Sequence, residues 1–235
     1  MKTIAIHQPQ YLPYLGFFHK LRHADLFVAM DTVQFQRRGV QHRNRIKTPR
    51  GAQWLTVPVL RAPVPRESDG RSEQATRDVM IDTSDDWRRR QANAIRLNYA
   101  RSAFFEPYWD GLHDLLDRPW TRLFELDMAT IEWAMSALEI GTPITYLSEL
   151  DVGGTGSELL LEVCRAVGAD RYLSGPGGKQ YMDLSRFDVA GVEIVWQDFE
   201  SPRYPQQFPD AGFVPDLSVI DALFCCGPDV KSFVE

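Results

Sequence analysis

The sequence predicts an α/β fold in which a mostly parallel sheet carries an inserted antiparallel hairpin and a helical middle segment. Three observations predict it. Residues 2–31 run strand, loop, helix, strand; residues 42–59 read as two strands about a proline-glycine turn; residues 84–141 follow helical periodicity before β/α alternation resumes. With 235 residues, 44% hydrophobic and 25% charged, the chain has ordinary globular composition and can bury a sizeable core. A single α/β domain over 1–235 is expected, with a helical insertion at about 84–141.

Residues 2–7 (Lys-Thr-Ile-Ala-Ile-His) form a short buried strand, and Pro9 and Pro13 then make residues 8–13 a loop, since proline suits neither a ladder nor a helix interior. Tyr14, Leu15, Phe17, Phe18 and Leu21 recur at helical spacing, and residues 26–31 form a second buried strand ending on Asp31. Such a unit begins a parallel sheet whose ligands bind at the carboxyl ends of the strands, where His7 and Asp31 both fall. Residues 42–47 and 53–59 flank Thr48-Pro49-Arg50-Gly51, with proline and glycine where a type I turn places them. Residues 61–77, rich in Pro, Arg, Glu, Ser and Gly, are expected to form an exposed loop able to act as a lid.

A short strand near 78–82 precedes helices at 84–101, 107–116 and 120–140, whose dense aromatics, Trp87, Tyr99 and Trp109 among them, suit inter-helix packing. Beyond these, 144–147 is strand-like and 156–167 is an amphipathic helix ended by Gly168. Residues 171–174 lead into Gly175-Pro176-Gly177-Gly178, 191–196 form another strand, and 217–226 a last helix stopped by Gly227.

No apolar run approaches the roughly 18 residues that a membrane span needs, and the N-terminus lacks the apolar core of a secretory signal, so no membrane association and a cytoplasmic location are expected. Cys164, Cys225 and Cys226 form neither a disulfide framework nor a zinc pattern, and no metal-ligand spacing occurs. A net charge of −6 argues against a general nucleic-acid binder. Locally the balance reverses. Arg37, Arg38, His42, Arg43, Arg45, Lys47 and Arg50 fall in one stretch without an acidic residue, which is either a solvated face or a surface for an anionic partner.

Four constellations could carry chemistry. His7-Gln8-Pro9-x-Tyr11-x-Pro13, with Gly16 and His19, presents an imidazole at a strand end beside an amide and a phenol, which suits proton transfer or a plain loop hydrogen bond. Alternation along Arg43-Asn44-Arg45-Ile46-Lys47 puts the three cations on one face, fit for phosphate or carboxylate or for an edge strand guarded by charge. Ser174-Gly175-Pro176-Gly177-Gly178-Lys179-Gln180-Tyr181 is a glycine-rich turn after a strand that matches no nucleotide motif, so an anion turn and a structural turn are both open. Ser218 and Asp221 are explained by a capping box at the start of the last helix.

In this order these stretches resemble the WbqC-like protein family, through IHQPQYLPYLGFFHKL, ADLFVAMDTVQF, RNRIKTPRGAQWLTVPV, ADRYLSGPGGKQYMD and FVPDLSVIDALFCCG. The resemblance implies a cytoplasmic enzyme of bacterial surface-polysaccharide or related small-molecule biosynthesis, a transferase acting on an activated sugar or acyl group. A fainter likeness, to the nucleotidylyltransferase superfamily, rests on a first strand leading through a loop with Pro13, Gly16 and His19 into a helix; the H-x-G-H pair is absent, and only a Rossmann-like fold is carried over.

The expected catalytic set is His7, Gln8, Tyr11 and Asp31. The expected substrate-binding set is His19, Gln34, Arg43, Asn44, Lys47, Gly175, Gly177, Gly178 and Tyr181, without a metal. No tightly bound cofactor is expected; the ligand is a small anionic substrate such as a nucleotide-sugar or acyl donor. Two alternatives stand beside transfer of a sugar, acyl or aminoacyl group: a non-catalytic protein docking an acidic carrier through the basic hairpin, and a nucleotidyltransferase-like enzyme.

Overall fold

Alternation along the first strand, β1 (Thr3–His7), sends Ile4 and Ile6 to one side and Ala5 to the other, so one strand feeds two cores. The computed structural model describes residues 1–60 and 74–235, and most of the expected lid at 61–77 lies outside the described residues. After the proline-stiffened loop come α1 (Leu15–Arg22) and β2 (Leu26–Ala29), which pairs in parallel with β1. The hairpin follows as β3 (Arg43–Thr48) and β4 (Gly51–Thr56), antiparallel, with Thr48 opposite Gly51.

The helical middle is α2 (Trp87–Tyr99), α3 (Phe105–Asp117) and α4 (Leu123–Ala137). Alternation then resumes with β5 (Ile144–Tyr146), α5 (Gly156–Ala166), β6 (Arg171–Ser174), α6 (Leu184–Ala190), β7 (Glu193–Trp196) and α7 (Val219–Cys226). Five strands form one parallel sheet in the order β5-β2-β1-β6-β7, and the hairpin is a separate two-stranded sheet. The chain steps outward from β1 to β2 and β5, then crosses to the opposite side for β6 and β7. The order therefore reverses between β1 and β6, and in open α/β sheets such a switch is where ligands bind.

Ala5, Phe27 and Ala29 face α1, the three middle helices and α7 in the larger core; Trp87, Tyr99, Phe105 and Trp109 are buried there, as the aromatic density predicted. Ile4, Ile6, Val28 and Tyr172 face α5 and α6 in the smaller one. Elsewhere the structure departs from expectation. Residues 78–82 form no strand: Val79 and Ile81 are buried in alternation, but the bridges run to different segments, Val59 to Ile81 and Met80 to Arg122. The turn after β6 is a short 3-10 helix, Pro176–Gln180. Helix α6 gave no signal because its seven residues bury only Phe187, too few to show a period.

Candidate functional site at the carboxyl edge of the sheet

The carboxyl ends of β1, β2 and β5 and the start of α5 enclose a cavity of about 980 Å³. His7 and Gln8 line it from β1, Gln34 and Arg77 from the segments beyond β2, and Ser148 from the turn after β5. Tyr172 and Tyr181 bound it from β6 and the turn that follows. Asp31, almost fully buried, stands behind this wall: its carboxylate accepts from the Ser148 amide at 2.9 Å and its carbonyl from the Arg77 amide at 2.8 Å. It shapes the wall.

His7 Nδ1 lies 2.7 Å from the Gln8 carbonyl. A carbonyl only accepts, so Nδ1 carries the proton and Nε2 keeps its lone pair. Phe17 meets the ring edge-on, with centroids 5.5 Å apart. Burial, then the nearby Lys20 charge, push the His7 pKa down to about 3, against a smaller opposing effect of the Gln8 hydrogen bond. In the unliganded protein His7 is a fixed, neutral imidazole at neutral pH. The Gln8 amide donates to the Gln34 carbonyl at 3.5 Å, joining two walls of the cavity.

Four of the sequence-derived residues thus meet at one cavity: His7, Gln8, Gln34 and Tyr181, with Asp31 behind them. The others lie elsewhere. Tyr11 is fully buried and donates to Gln91 Oε1 at 2.5 Å, and His19 Nδ1 accepts from the Gln197 amide at 3.2 Å on α1. Gly175, Gly177 and Gly178 form the turn leading to Tyr181; a Cβ on Gly178 would come within 2.5 Å of Ser174 Oγ, so this close approach needs glycine.

The hairpin residues divide. Arg43 stacks over Trp54 at 4.5 Å and Arg45 at 5.7 Å, on the shared face that alternation predicts. Asn44 is buried and donates to the Leu12 carbonyl at 2.7 Å. Lys47, on the same side as the arginines, is nonetheless fully buried, because the chain near 206–212 covers that end of the hairpin; its ammonium donates to the Gly212 carbonyl and to Gln206 Oε1.

Beneath Lys47, Asp221 accepts from Tyr99 Oη at 2.6 Å and from Tyr204 Oη at 2.8 Å, while Tyr99 Oη also accepts from the Lys47 amide at 2.7 Å. This corrects the capping-box expectation. Ser218 makes no side-chain cap, its hydroxyl is sealed and unpaired, and Asp221 turns inward to the two tyrosines.

Residues 153–156, unnoticed in the sequence, also line the cavity. Gly154 and Gly156 adopt left-handed backbone, φ +92° and +56°, and Gly156 opens α5. The signal was there: Gly-Gly-Thr-Gly directly before an amphipathic helix brings amides near a ligand. The three cysteines are free, and burial raises Cys164 and Cys225 to about 12 and Cys226 to about 11, so none is a thiolate near neutral pH. Among the described residues no group of three or more His, Cys, Asp and Glu is arranged to hold a metal, and no helix is long and apolar enough to cross a membrane.

A parallel sheet with reversed strand order and a cavity at its carboxyl edge defines a Rossmann-like α/β protein with a candidate small-ligand site. The sequence comparisons narrow the class: residues 8–232 match the WbqC-like protein family, and the chain belongs to it. The uncharacterized protein Rv1507c of Mycobacterium tuberculosis is 32% identical over 237 residues, covering 100% of this chain and 98% of the relative. No solved structure matches.

Proposed function

We propose that the protein is a cytoplasmic group-transfer enzyme of bacterial surface-polysaccharide or related small-molecule biosynthesis, holding an activated sugar, acyl or aminoacyl donor at the carboxyl edge of its sheet. One observation carries this reading: a fixed imidazole lines a cavity of about 980 Å³, large enough for a nucleotide-sugar or acyl donor. The biosynthetic setting is the expectation attached to the family. His7 Nε2 takes the proton of an acceptor hydroxyl or amine as its oxygen or nitrogen bonds to the donor carbon. The leaving group departs with the electron pair of the broken bond. Arg77 and the glycine backbone at 153–156 hold the anionic part of the donor, while Gln8 and Ser148 orient it.

The first test is thermal-shift titration with nucleotide sugars and acyl-coenzyme A on the wild type and on Ser148→Trp, which fills the cavity from an exposed position. Stabilisation of the wild type alone supports the site; no stabilisation by any donor removes it. With a donor in hand, His7→Gln should lower kcat about 10²–10⁴-fold. A folded variant with full turnover would take His7 out of the mechanism.

A second reading has its own support. Trp54, 45% exposed and flanked by Arg43 and Arg45, gives the hairpin an aromatic and cationic face suited to an acidic carrier protein. Reversing both arginines to glutamate should abolish salt-sensitive carrier binding and leave small-donor binding intact. Unchanged carrier affinity would dismiss the docking face.

A further inference from the structure

Lys20 is a buried cation just outside the lining of the cavity. It sits on α1, only 6% exposed, and among the described residues no hydrogen bond or ion pair holds its ammonium. Its location is specific. A Cβ on Gly175 would lie 3.2 Å from Lys20 Nζ, which therefore rests against the backbone at the carboxyl end of β6. Its charge is felt by His7 at the carboxyl end of β1. The ammonium thus lies by the carboxyl ends of β1 and β6, where the strand order reverses.

Burying a cation without a counter-charge is costly, and here burial brings the ammonium down to about 8 with no acidic neighbour opposing it. A lysine that served only to pack its stem would carry its head to open water. This one is held beside Gly175, whose missing side chain leaves the ammonium room.

We propose that Lys20 is a second anion anchor of the carboxyl-edge site beside Arg77 and the 153–156 backbone, its ammonium and the Gly175 backbone holding a further oxyanion of the donor, phosphate or carboxylate, by the ends of β1 and β6. The inference rests on the carboxyl edge being the ligand site. It also gives His7 a ligand-dependent role: an oxyanion that neutralises Lys20 removes one of the two causes depressing the imidazole, so His7 accepts a proton more readily once the donor is bound.

The chain has five lysines, few enough to resolve by NMR with isotope-labelled lysine. Potassium phosphate and potassium acetate are titrated separately, each against potassium chloride at matched ionic strength. The Lys20 side-chain resonance should move saturably with phosphate for a phosphoryl-bearing donor, or with acetate for a carboxylate-bearing one, and not with chloride. By thermal shift, Lys20→Met should weaken the effective anion at least ten-fold and Lys20→Arg should keep part of the affinity. A Lys20 resonance that neither anion moves overturns the proposal, whether or not the variants fold. So does a folded Lys20→Met that binds as tightly as the wild type. If Ser148→Trp abolishes donor binding while Lys20→Met does not, the anchor falls and the cavity reading stands. If phosphate or acetate moves Lys20 while no donor binds, the transfer reading falls and the anchor stands.

Discussion

At the carboxyl edge of the sheet His7, Gln8, Arg77 and Ser148 face a cavity, whereas beneath the hairpin Lys47, Asp221, Tyr99 and Tyr204 face one another. Both regions gather polar and ionisable side chains, and both include residues that look reactive in the sequence. The difference lies in partners. Under the hairpin the tyrosine hydroxyls and the Asp221 carboxylate are paired within the protein, which fastens β3, α2, α7 and the chain near 204 together. At the edge, the His7 Nε2 lone pair and the Lys20 ammonium are oriented by the fold and left for something else to meet. Paired polar groups hold the fold together; the unpaired ones at the edge are the candidates for binding.

The largest effect should come from breaking the sealed region. Asp221→Ala strips two tyrosines of their acceptor and leaves the buried Lys47 without the opposing charge of Asp221, a loss of about 3–5 kcal/mol by urea unfolding. The double variant Lys47→Met/Asp221→Leu should recover much of that stability. A single variant costing under about 1 kcal/mol would show that the network is not what holds the hairpin.

Asp127 sharpens the contrast, since it is fully buried and both its carboxylate oxygens are unpaired. Burial raises its pKa well above the usual carboxylate range. The neutral form fits the fold. Its stabilising share is therefore complete below the unfolded pKa, near 4, and declines as pH rises above it, by up to about 1.4 kcal/mol per pH unit. Asp127→Asn should flatten this decline between pH 4 and 7, read as urea midpoints across that range; an unchanged slope would mean another group sets it.

The smallest effect belongs to the edge. Gly154→Ala forces a side chain into left-handed backbone and against Glu158, costing about 1 kcal/mol. Donor affinity should fall more than stability does. Equal affinity in variant and wild type would remove the 153–156 loop from the site.

Most of the fold was legible in the sequence because its elements bury regular faces: β1 through β2, the hairpin and the three middle helices all follow their period. The edge site was half legible. His7 and Gln8 stood out because proline marks their loop, and Gln34 and Tyr181 came with the motifs, but Lys20 hid inside a helical stripe where a lysine reads as solvent-facing. Lys47 misled in the opposite sense. Strand alternation fixes which side a residue points to, not what later chain covers that side, and here residues 206–212 do. Asp221 was read locally as a cap because its two tyrosine partners lie 122 and 17 residues away.

The stretch that carries His7 is fastened by the far end of the chain: the Val219 amide donates to the Pro13 carbonyl at 2.8 Å, Tyr14 bridges to Ser218, and the Ser218 amide donates to the Arg45 carbonyl. A ribosome delivers residues 13–45 well before it delivers Ser218 and Val219. The loop and the hairpin therefore lack these anchors until residues 218 and 219 have been made, and their final docking is a long-range, late step of folding.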